Sequence, residues 1–399
     1  MDTDHPAFII SFLSLYLWKC TPMKKILLFL FLLILNNFLQ AQSPAGNYVL
    51  SGKIYDATHA PIPGVAVYLD GTSIHVITNA SGEFRLSLQA VINTRLILHH
   101  ISYEQIVIPE PFKTMPSRFV MTEKANQIEP VVFEQVLFSR QQMLEAFRIH
   151  FLGATQAGKS CRIDNEDDIR LVYNLTEKTL NAYCDVPIRI HNEYLAYDIS
   201  FNLASFKMVV SENNLQSPTS LAVNFTGTSF FQDLAIGNRR MRRRREDAYR
   251  HSLSYFMQNL INNTIEDTDF EWAIPIYEDD EASGESRLAE NIIKEEPALF
   301  FNIGVENDMK VIELTSEPVR RALGEKMPEE TIYEEIVIQE LTPDREWGFN
   351  RSALYFLKNR YWIDGYGNIA PISDIYVEGY LAEKRMGDIL PSDFELRKK

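Results

Sequence analysis

A run of arginines near the middle of the chain is its strongest candidate for binding chemistry. The run comprises Arg239, Arg240, Arg242, Arg243, Arg244 and Arg245. Clustered guanidinium groups can bind the phosphates of lipid headgroups or of lipopolysaccharide, or an acidic protein surface. The same run can instead be the solvated start of a helix, with its arginines paired to Glu246 and Asp247. We favour the solvated start of a helix and keep a patch for an anionic partner, made of the same six arginines, as the alternative.

A second segment matches the phosphate-loop pattern, in which a glycine-rich loop binds phosphates through its backbone N–H groups. The match runs from Gly153 to Ser160, with Gly158 and Lys159 at the expected places. A working phosphate loop follows a buried strand and opens a helix. This segment instead follows a helical pattern and precedes a strand-like one. We expect no nucleotide site here: Gly153 should end a helix, and the residues after it should form a polar loop.

Zinc peptidases hold their metal with a His and a Glu separated by two residues, plus a distant second His. Downstream of residue 41 none of the histidines has a Glu three positions later; they are His59, His75, His99, His100, His150, His191 and His251. We therefore expect no metal site, no cofactor and no zinc carboxypeptidase activity. A hydrolase assembled from scattered residues stays open.

Cys161 and Cys184 are the two cysteines downstream of residue 41. In an oxidising compartment they could form a disulfide, which would stabilise the fold by roughly 3 kcal/mol on the chain-entropy model. Two buried free thiols are the alternative, because cysteine also packs as a small apolar side chain. Both interpretations stay open.

Residues 1–41 predict an export signal. Met23, Lys24 and Lys25 precede the apolar segment 26–35, and Ala41 is a small residue at a plausible cleavage point. A basic start, a short apolar core and a small exit residue are the parts of a secretory signal. Because the residues upstream begin with acidic side chains, Met23 is the expected initiator. We predict export to the periplasm or outer membrane, with secretion or an N-terminal membrane anchor as alternatives.

Between Ser51 and Leu88, short segments rich in Val, Ile and Tyr alternate with turns that contain Pro, Gly and Asn. This pattern is typical of antiparallel strands joined by tight turns. The segment resembles the carboxypeptidase regulatory-like domain through Gly52, Asp56, Pro63, Gly64, Val65, Val67, Gly71, Thr72, Thr78, Asn79, Gly82, Glu83 and Phe84. The resemblance implies a non-catalytic, transthyretin-like (prealbumin-like) β-sandwich over residues 42–122, in an exported or envelope protein.

After a linker at 123–137, the pattern predicts a second domain over residues 138–399. We expect a helix at 141–152, several strands from Cys161 onward, one long helix at about 244–262, and further strands toward the C-terminus. This mixture predicts an α+β domain and hence a multi-domain protein. The net charge of −15 disfavours nucleic acid as a partner.

The second region resembles a family of secreted Bacteroidetes proteins that carry the regulatory-like sandwich in front. The residues that carry the likeness are 151–153, Cys161, 195–199, 247–253, Phe256, Gly379, Tyr380, Arg385, 388–391 and 393–395. The resemblance implies a compartment and an architecture but no mechanism. We therefore predict an exported cell-envelope protein that acts as a non-enzymatic binding or assembly module, with an envelope hydrolase as the alternative. An envelope protein or an anionic surface is the expected partner.

Overall fold

The computed structural model describes residues 48–124, 137–210, 215, 222–280, 285–293, 301–306, 309–314, 334–340 and 350–396. The predicted export signal and most of the predicted linker lie outside these residues. By their contacts, Val49–Ser87 and Val91–Lys399 form one compact unit, and Met1–Tyr48 with Leu88–Ala90 form another. The interactions discussed below belong to the first unit. Within the described part of the chain, no helix has both the length and the apolar character to cross a membrane.

The N-terminal part of the described chain is a β-rich domain of two sheets. One sheet contains β1 (Tyr48–Tyr55), β4 (Glu83–Leu88) and β7 (Arg118–Val120), in the order β4-β1-β7. The other contains β2 (Ala66–Leu69), β3 (His75–Ile77), β5 (Leu96–His100) and β6 (Tyr103–Ile108), in the order β3-β2-β5-β6. Residues of both sheets are buried, Ile54 of β1 and Leu98 of β5 among them.

The strands of this domain follow the expected alternation of buried and exposed side chains. Along β4, Phe84 and Leu86 are buried while the residues between and before them are exposed, as the two-residue period of a strand requires. The pairing differs from the expected antiparallel pattern at one edge: β7 runs parallel to β1, with Ile54 opposite Phe119. Because the connection from β6 crosses from one sheet to the other, β7 enters beside β1 in the same direction.

The next part of the chain packs helix α1 (Arg140–Leu152) against a six-stranded sheet. The strands are β8 (Cys161–Ile163), β9 (Arg170–Asn174), β10 (Thr179–Tyr183), β11 (Ile188–Asn192), β12 (Tyr197–Val209) and β13 (Ala222–Asp233). Their order is β8-β11-β12-β10-β9, and β13 pairs with β12 along its other edge. The helix contributes Phe147, which lies 4.8 Å from Phe206 between ring centroids. Aromatic packing of this kind joins helix and sheet in one core.

The ends of α1 are set by local chemistry. Ser139 and Gln142 form a capping box at the start, and Gly153 ends the helix with a φ of 101° that favours glycine. A short helix, α2 (Gln156–Lys159), follows before β8 begins.

The C-terminal part contains two helices, α3 (Arg239–Arg250) and α4 (Leu253–Asn262), and two sheets. One sheet, in the order β15-β14-β18-β19-β22, is made of β14 (Phe270–Asp280), β15 (Glu285–Ile293), β18 (Glu334–Glu340), β19 (Arg351–Phe356) and β22 (Ile375–Gly379). The other, in the order β16-β17-β20-β21, is made of β16 (Phe301–Glu306), β17 (Met309–Leu314), β20 (Arg360–Ile363) and β21 (Ile369–Ala370). Phe256 and Leu260 of α4 share a core with Leu354, Phe356 and Tyr361.

The described residues after 137 are mostly strands with few helices, which corrects the predicted α+β domain. The single helix expected at about 244–262 is two helices. Ser252 is extended, and its hydroxyl caps α4 by accepting a hydrogen bond from Tyr255 N. The start of α3 lies five residues earlier than expected, at Arg239, because Asn238 caps it.

A turn of the sandwich docks onto the rest of the unit through backbone hydrogen bonds. Gly71 N donates to Ser229 O at 2.7 Å, and Ser392 N donates to Gly71 O at 2.7 Å. Phe231 N donates to Thr72 O at 2.9 Å. The turn after β2 is therefore held between β13 and residues 380–396, which we call the C-terminal segment.

Side chains reinforce this junction. The hydroxyl of the fully buried Tyr68 accepts from Asn202 Nδ2 at 2.7 Å and lies 3.0 Å from Thr228 Oγ1. Burial raises the pKa of Tyr68 to about 12, so the hydroxyl stays protonated at neutral pH. Asp393 accepts from Ser73 N at 2.8 Å. The junction thus pairs the polar groups that it removes from water.

A second contact joins the sandwich to the turn after β20. Asn93 N donates to Asp364 Oδ2 at 2.8 Å, and Asn93 Nδ2 donates to Trp362 O at 3.1 Å. Burial raises the pKa of Asp364, although Asn93 and Asn368 donate hydrogen bonds to its carboxylate. Asn368 Nδ2 also donates to Ser392 O at 2.8 Å, which connects the two contacts.

Candidate functional site

Helix α3 carries the arginine run and begins with it. Asn238 Oδ1 accepts from Arg240 N at 3.0 Å and so caps the first turn. A helix rotates by about 100° per residue, which places Arg239 and Arg243 on the face opposite the buried Arg245. The helix thereby divides the six arginines of the predicted patch into two sets.

Arg245 has a structural role. Its Nη1 and Nη2 donate to the two carboxylate oxygens of Asp233 at 2.8 and 2.9 Å, and its Nε and Nη2 donate to the carbonyls of Leu195 and Ala196 at 2.7 Å each. The guanidinium lies 3.8 Å from the ring centroid of Tyr197. Burial alone would raise the pKa of Asp233, but its hydrogen bonds, chiefly from Arg245, lower it overall. A buried charge must be paired and fully hydrogen-bonded, and these contacts satisfy the buried guanidinium of Arg245.

Two further arginines also bind within the molecule. Arg242 Nε donates to Glu246 at 2.9 Å, and the guanidinium lies 4.8 Å from the ring centroid of Phe394. Arg244 lies 4.4 Å from the ring centroid of Tyr194 and donates to its carbonyl at 3.2 Å. Half of the six-arginine run therefore fastens α3 to its neighbours, and of the two acidic residues expected to pair with the run, Glu246 pairs with Arg242.

The other three arginines are exposed, and we call Arg239, Arg240 and Arg243 the basic patch. Their side chains make no hydrogen bond or ion pair with any residue that the structure describes. One helical turn separates Arg239 from Arg243, so the three guanidinium groups can meet one anionic surface. Asp247 is the acidic residue on this face of α3, and it is also exposed. The electrostatic balance of the face is positive.

Two apolar side chains directly before α3 are exposed, a feature that the arginine pattern alone does not predict. Ile236 is 87% exposed and Leu234 is 43% exposed. They lie in the turn between β13 and α3, where Gly237 has a φ of 79°. We call Leu234 and Ile236 the apolar tip. Two large apolar residues beside a glycine, at the edge of a strongly basic run, are the signal by which the sequence could have revealed it.

The two-sheet sandwich has a recognised counterpart. Residues 50–133 match the CarboxypepD_reg-like domain. No curated protein matches the chain. The CarboxypepD_reg-like domain covers about a fifth of the chain, and the basic patch and the apolar tip lie outside it. The match confirms the resemblance of the segment between Ser51 and Leu88 to the carboxypeptidase regulatory-like domain.

Outside the CarboxypepD_reg-like domain, the phosphate-loop-like segment follows α1 and precedes β8. Thr155 caps α2 by accepting from Gly158 N at 3.0 Å. A Cβ at Gly158 would lie 2.4 Å from Gly153 O, and a Cβ at Gly387 would lie 2.5 Å from Gly158 Cα. Gly387 N donates to Leu152 O at 2.9 Å. The glycines of this segment therefore permit close packing against the C-terminal segment.

Cys161 and Cys184 are free thiols in the structure, and both are partly buried. Cys161 pairs with Asn192, which pairs with Tyr197 at the start of β12. Cys184 instead follows β10, which pairs with residues 207–209 at the far end of β12. Because a strand rises about 3.3 Å per residue, the two positions lie well beyond the roughly 7 Å between Cα atoms that a disulfide can bridge.

The histidines are dispersed. Among the residues that the structure describes, no group of three or more His, Cys, Asp or Glu side chains is placed to hold a metal ion. Burial lowers the pKa of His99 to about 4 and keeps its ring neutral. One His–Asp pair was not foreseen: His191 Nδ1 lies 2.7 Å from Asp198 Oδ1. The hairpin register of β11 and β12 brings these two residues opposite each other.

Proposed function

We propose that this protein is a non-enzymatic binding or assembly module of the cell envelope, and that it holds an anionic partner on the basic patch. The observation that carries the proposal is the division of one arginine run into two sets. Arg242, Arg244 and Arg245 are bonded inside the molecule, whereas the basic patch is exposed without a partner among the described residues. In a chain of net charge −15, acidic side chains are plentiful. Arginines left unpaired together therefore mark a surface that is available to an anion.

The CarboxypepD_reg-like domain supports a non-catalytic role, because the resemblance implies an accessory module. The export signal predicted in residues 1–41 supports an envelope location. On this proposal the protein belongs to a Bacteroidetes-type bacterium and acts in the periplasm, at the outer membrane or after secretion. The fixed junction between the sandwich and the rest of the unit suits an adaptor, whose parts must keep their mutual geometry.

A site-specific crosslinking experiment tests the proposal. A photoreactive residue at Asp247 lies on the face of the basic patch and leaves every arginine in place, and the same residue at the exposed Asp185 is the matched control. We expect crosslinking in intact cells to capture one partner at position 247 and not at position 185, with mass spectrometry to identify it. Identical products at the two positions, or none at either, would contradict the proposal.

A hydrolase is the second candidate function, and the His191–Asp198 pair favours it. A carboxylate that orients an imidazole is part of several hydrolytic sites. No described hydroxyl or thiol is hydrogen-bonded to the His191 ring, so a nucleophile would have to come from the substrate side or from water. Turnover of ester or peptide substrates that is abolished by His191→Asn and kept by His75→Asn would establish this function.

A further inference from the structure

We infer that the basic patch and the apolar tip together bind the surface of an anionic lipid bilayer. This inference rests on the proposed function, because it identifies the anionic partner of the basic patch as a membrane. It adds the apolar tip to the binding surface and assigns each set of side chains a depth in the bilayer.

The apolar tip has the exposure that insertion into an interface requires. Ile236 is 87% exposed, far more than a large aliphatic side chain at the edge of a core, and Leu234 lies two residues before it. An exposed aliphatic side chain gains free energy when it enters the boundary between headgroups and acyl chains. The turn between β13 and α3 therefore presents an apolar group to whatever surface approaches α3.

The basic patch supplies the second half of an interfacial site. Arg239 lies three residues after Ile236, so the guanidinium groups and the apolar tip belong to one continuous surface segment. Long arginine side chains can lie along an apolar boundary and place their charged ends among lipid phosphates. The segment thus combines an inserting apolar residue with phosphate-binding cations, which is the composition of an interfacial membrane anchor.

A lipid surface fits this segment better than a folded acidic protein does. A stable protein interface buries about 800 Å² on each partner and contains aromatic anchors in packed pockets. The apolar tip offers two aliphatic side chains, and its high exposure shows that it projects from the surface. A bilayer needs no matching pocket, because its headgroups and chains rearrange around the inserted residue.

The overall charge of −15 does not oppose this binding at physiological salt. Charges farther away than the Debye length of about 8 Å are screened, so the local face decides. Three arginines of the basic patch outnumber Asp247 on that face. Binding should therefore weaken steeply as salt is added, since the attraction is electrostatic over a short range.

Vesicle sedimentation tests the inference with the protein as purified from cells. We expect the wild-type protein to sediment with vesicles of phosphatidylcholine and phosphatidylglycerol far more than with phosphatidylcholine alone, and high salt to release it. The triple variant Arg239→Gln, Arg240→Gln, Arg243→Gln should lose about a hundredfold in partitioning, at about fivefold for each charge. Ile236→Ala should lose about tenfold.

Two matched controls separate the site from general effects of charge and hydrophobicity. Arg85→Gln, Lys159→Gln, Lys178→Gln removes three exposed positive charges elsewhere, and Ile77→Ala removes a 62% exposed isoleucine of the sandwich. Both should bind anionic vesicles as the wild type does. All variants should show the wild-type thermal unfolding midpoint, because none of the changed side chains has a described polar partner.

Equal sedimentation with neutral and anionic vesicles, or equal losses in the controls and the site variants, would overturn the inference. A protein captured at position 247, without sedimentation on phosphatidylglycerol vesicles, would overturn the membrane inference and leave the proposed function standing. If neither a captured partner nor vesicle binding is found, both fail.

Discussion

Arg243 and Arg245 lie two positions apart in the same run, yet the fold gives them different tasks. Two residues on a helix are separated by about 200°, so one side chain points into the molecule when the other points away. Arg245 meets a carboxylate, two carbonyls and an aromatic ring, whereas Arg243 meets solvent. The residue type alone therefore does not separate a structural arginine from a binding one.

Removal of the Arg245 guanidinium should strongly destabilise the fold. Arg245→Gln leaves the partly buried Asp233 without its cation and removes donors from the carbonyls of Leu195 and Ala196, and we expect a loss of about 2 to 3 kcal/mol in the free energy of unfolding. Arg243→Gln should change it by less than about 0.5 kcal/mol, because the side chain is exposed. Urea unfolding followed by circular dichroism measures both, and similar losses in the two variants would refute the division of the run.

The cysteine thiols should be unreactive in the folded protein. Burial, with a smaller contribution from Asp388, raises the pKa of Cys161 to about 12, and burial also raises the pKa of Cys184. The thiolate is the reactive form, so alkylation at pH 8 should be slow in the native state and complete after unfolding without reductant. Peptide mass mapping locates the label. Unlabelled Cys161 and Cys184 in the unfolded protein would show that they are bridged.

At the scale of elements, Gly158 explains why a segment can match the phosphate-loop pattern and have another role. Its backbone lies against Gly153 and Gly387, where a side chain has no room. A glycine-rich pattern indicates that another group, either a ligand or a part of the protein, lies close to the backbone. In this fold the approaching group is another part of the chain.

An added methyl group at Gly158 should therefore destabilise the protein. The new Cβ would lie 2.4 Å from Gly153 O, so the backbone must shift, and we expect Gly158→Ala to lose about 2 kcal/mol in the free energy of unfolding. Gly304→Ala is the matched control, because nothing lies within 4 Å of its Cβ. Thermal denaturation compares the two. A stable Gly158→Ala variant would mean that the backbone at Gly153 does not approach Gly158 this closely.

The elements that the sequence predicts are those with local causes. Helix α1 is predicted correctly because the apolar residues that define it lie within the helix and Gly153 lies at its end. The strands of the sandwich are predicted from the turns between them. The break at Ser252 is missed, because the apolar stripe continues across it into α4. The division of the arginine run is missed for a different reason. Phe394 and Asp233, which contact Arg242 and Arg245, lie outside α3. The spacing of the arginines within the run therefore does not show which of them are held.

At the scale of the whole molecule, the sandwich is part of a larger packed unit. Tyr68, Gly71 and Asn93 of the sandwich bond to groups that come from β12, β13, the turn after β20 and the C-terminal segment. The C-terminal segment also binds α1 through Gly387 and α3 through Phe394. The C-terminal segment therefore contacts the sandwich, α1 and α3. We expect cooperative unfolding of these regions to depend on it.

Because these polar bonds are buried, the sandwich and the rest of the unit should unfold in a single cooperative transition. The double variant Tyr68→Phe, Asp393→Asn removes the hydroxyl that binds Asn202 and weakens the acceptor of Ser73 N, while it keeps the volume of both side chains. Each broken buried bond costs about 1 to 3 kcal/mol, so we expect the variant to unfold in two separate calorimetric transitions, with the sandwich melting independently.

The matched control Tyr55→Phe, Asp185→Asn changes the same residue types away from the junction and should keep the single transition. Two transitions already in the wild-type protein would show that the junction does not couple the parts. One unchanged transition in the double variant would mean that the bonds it leaves in place, those of Gly71, Thr72 and Asn93, carry the coupling.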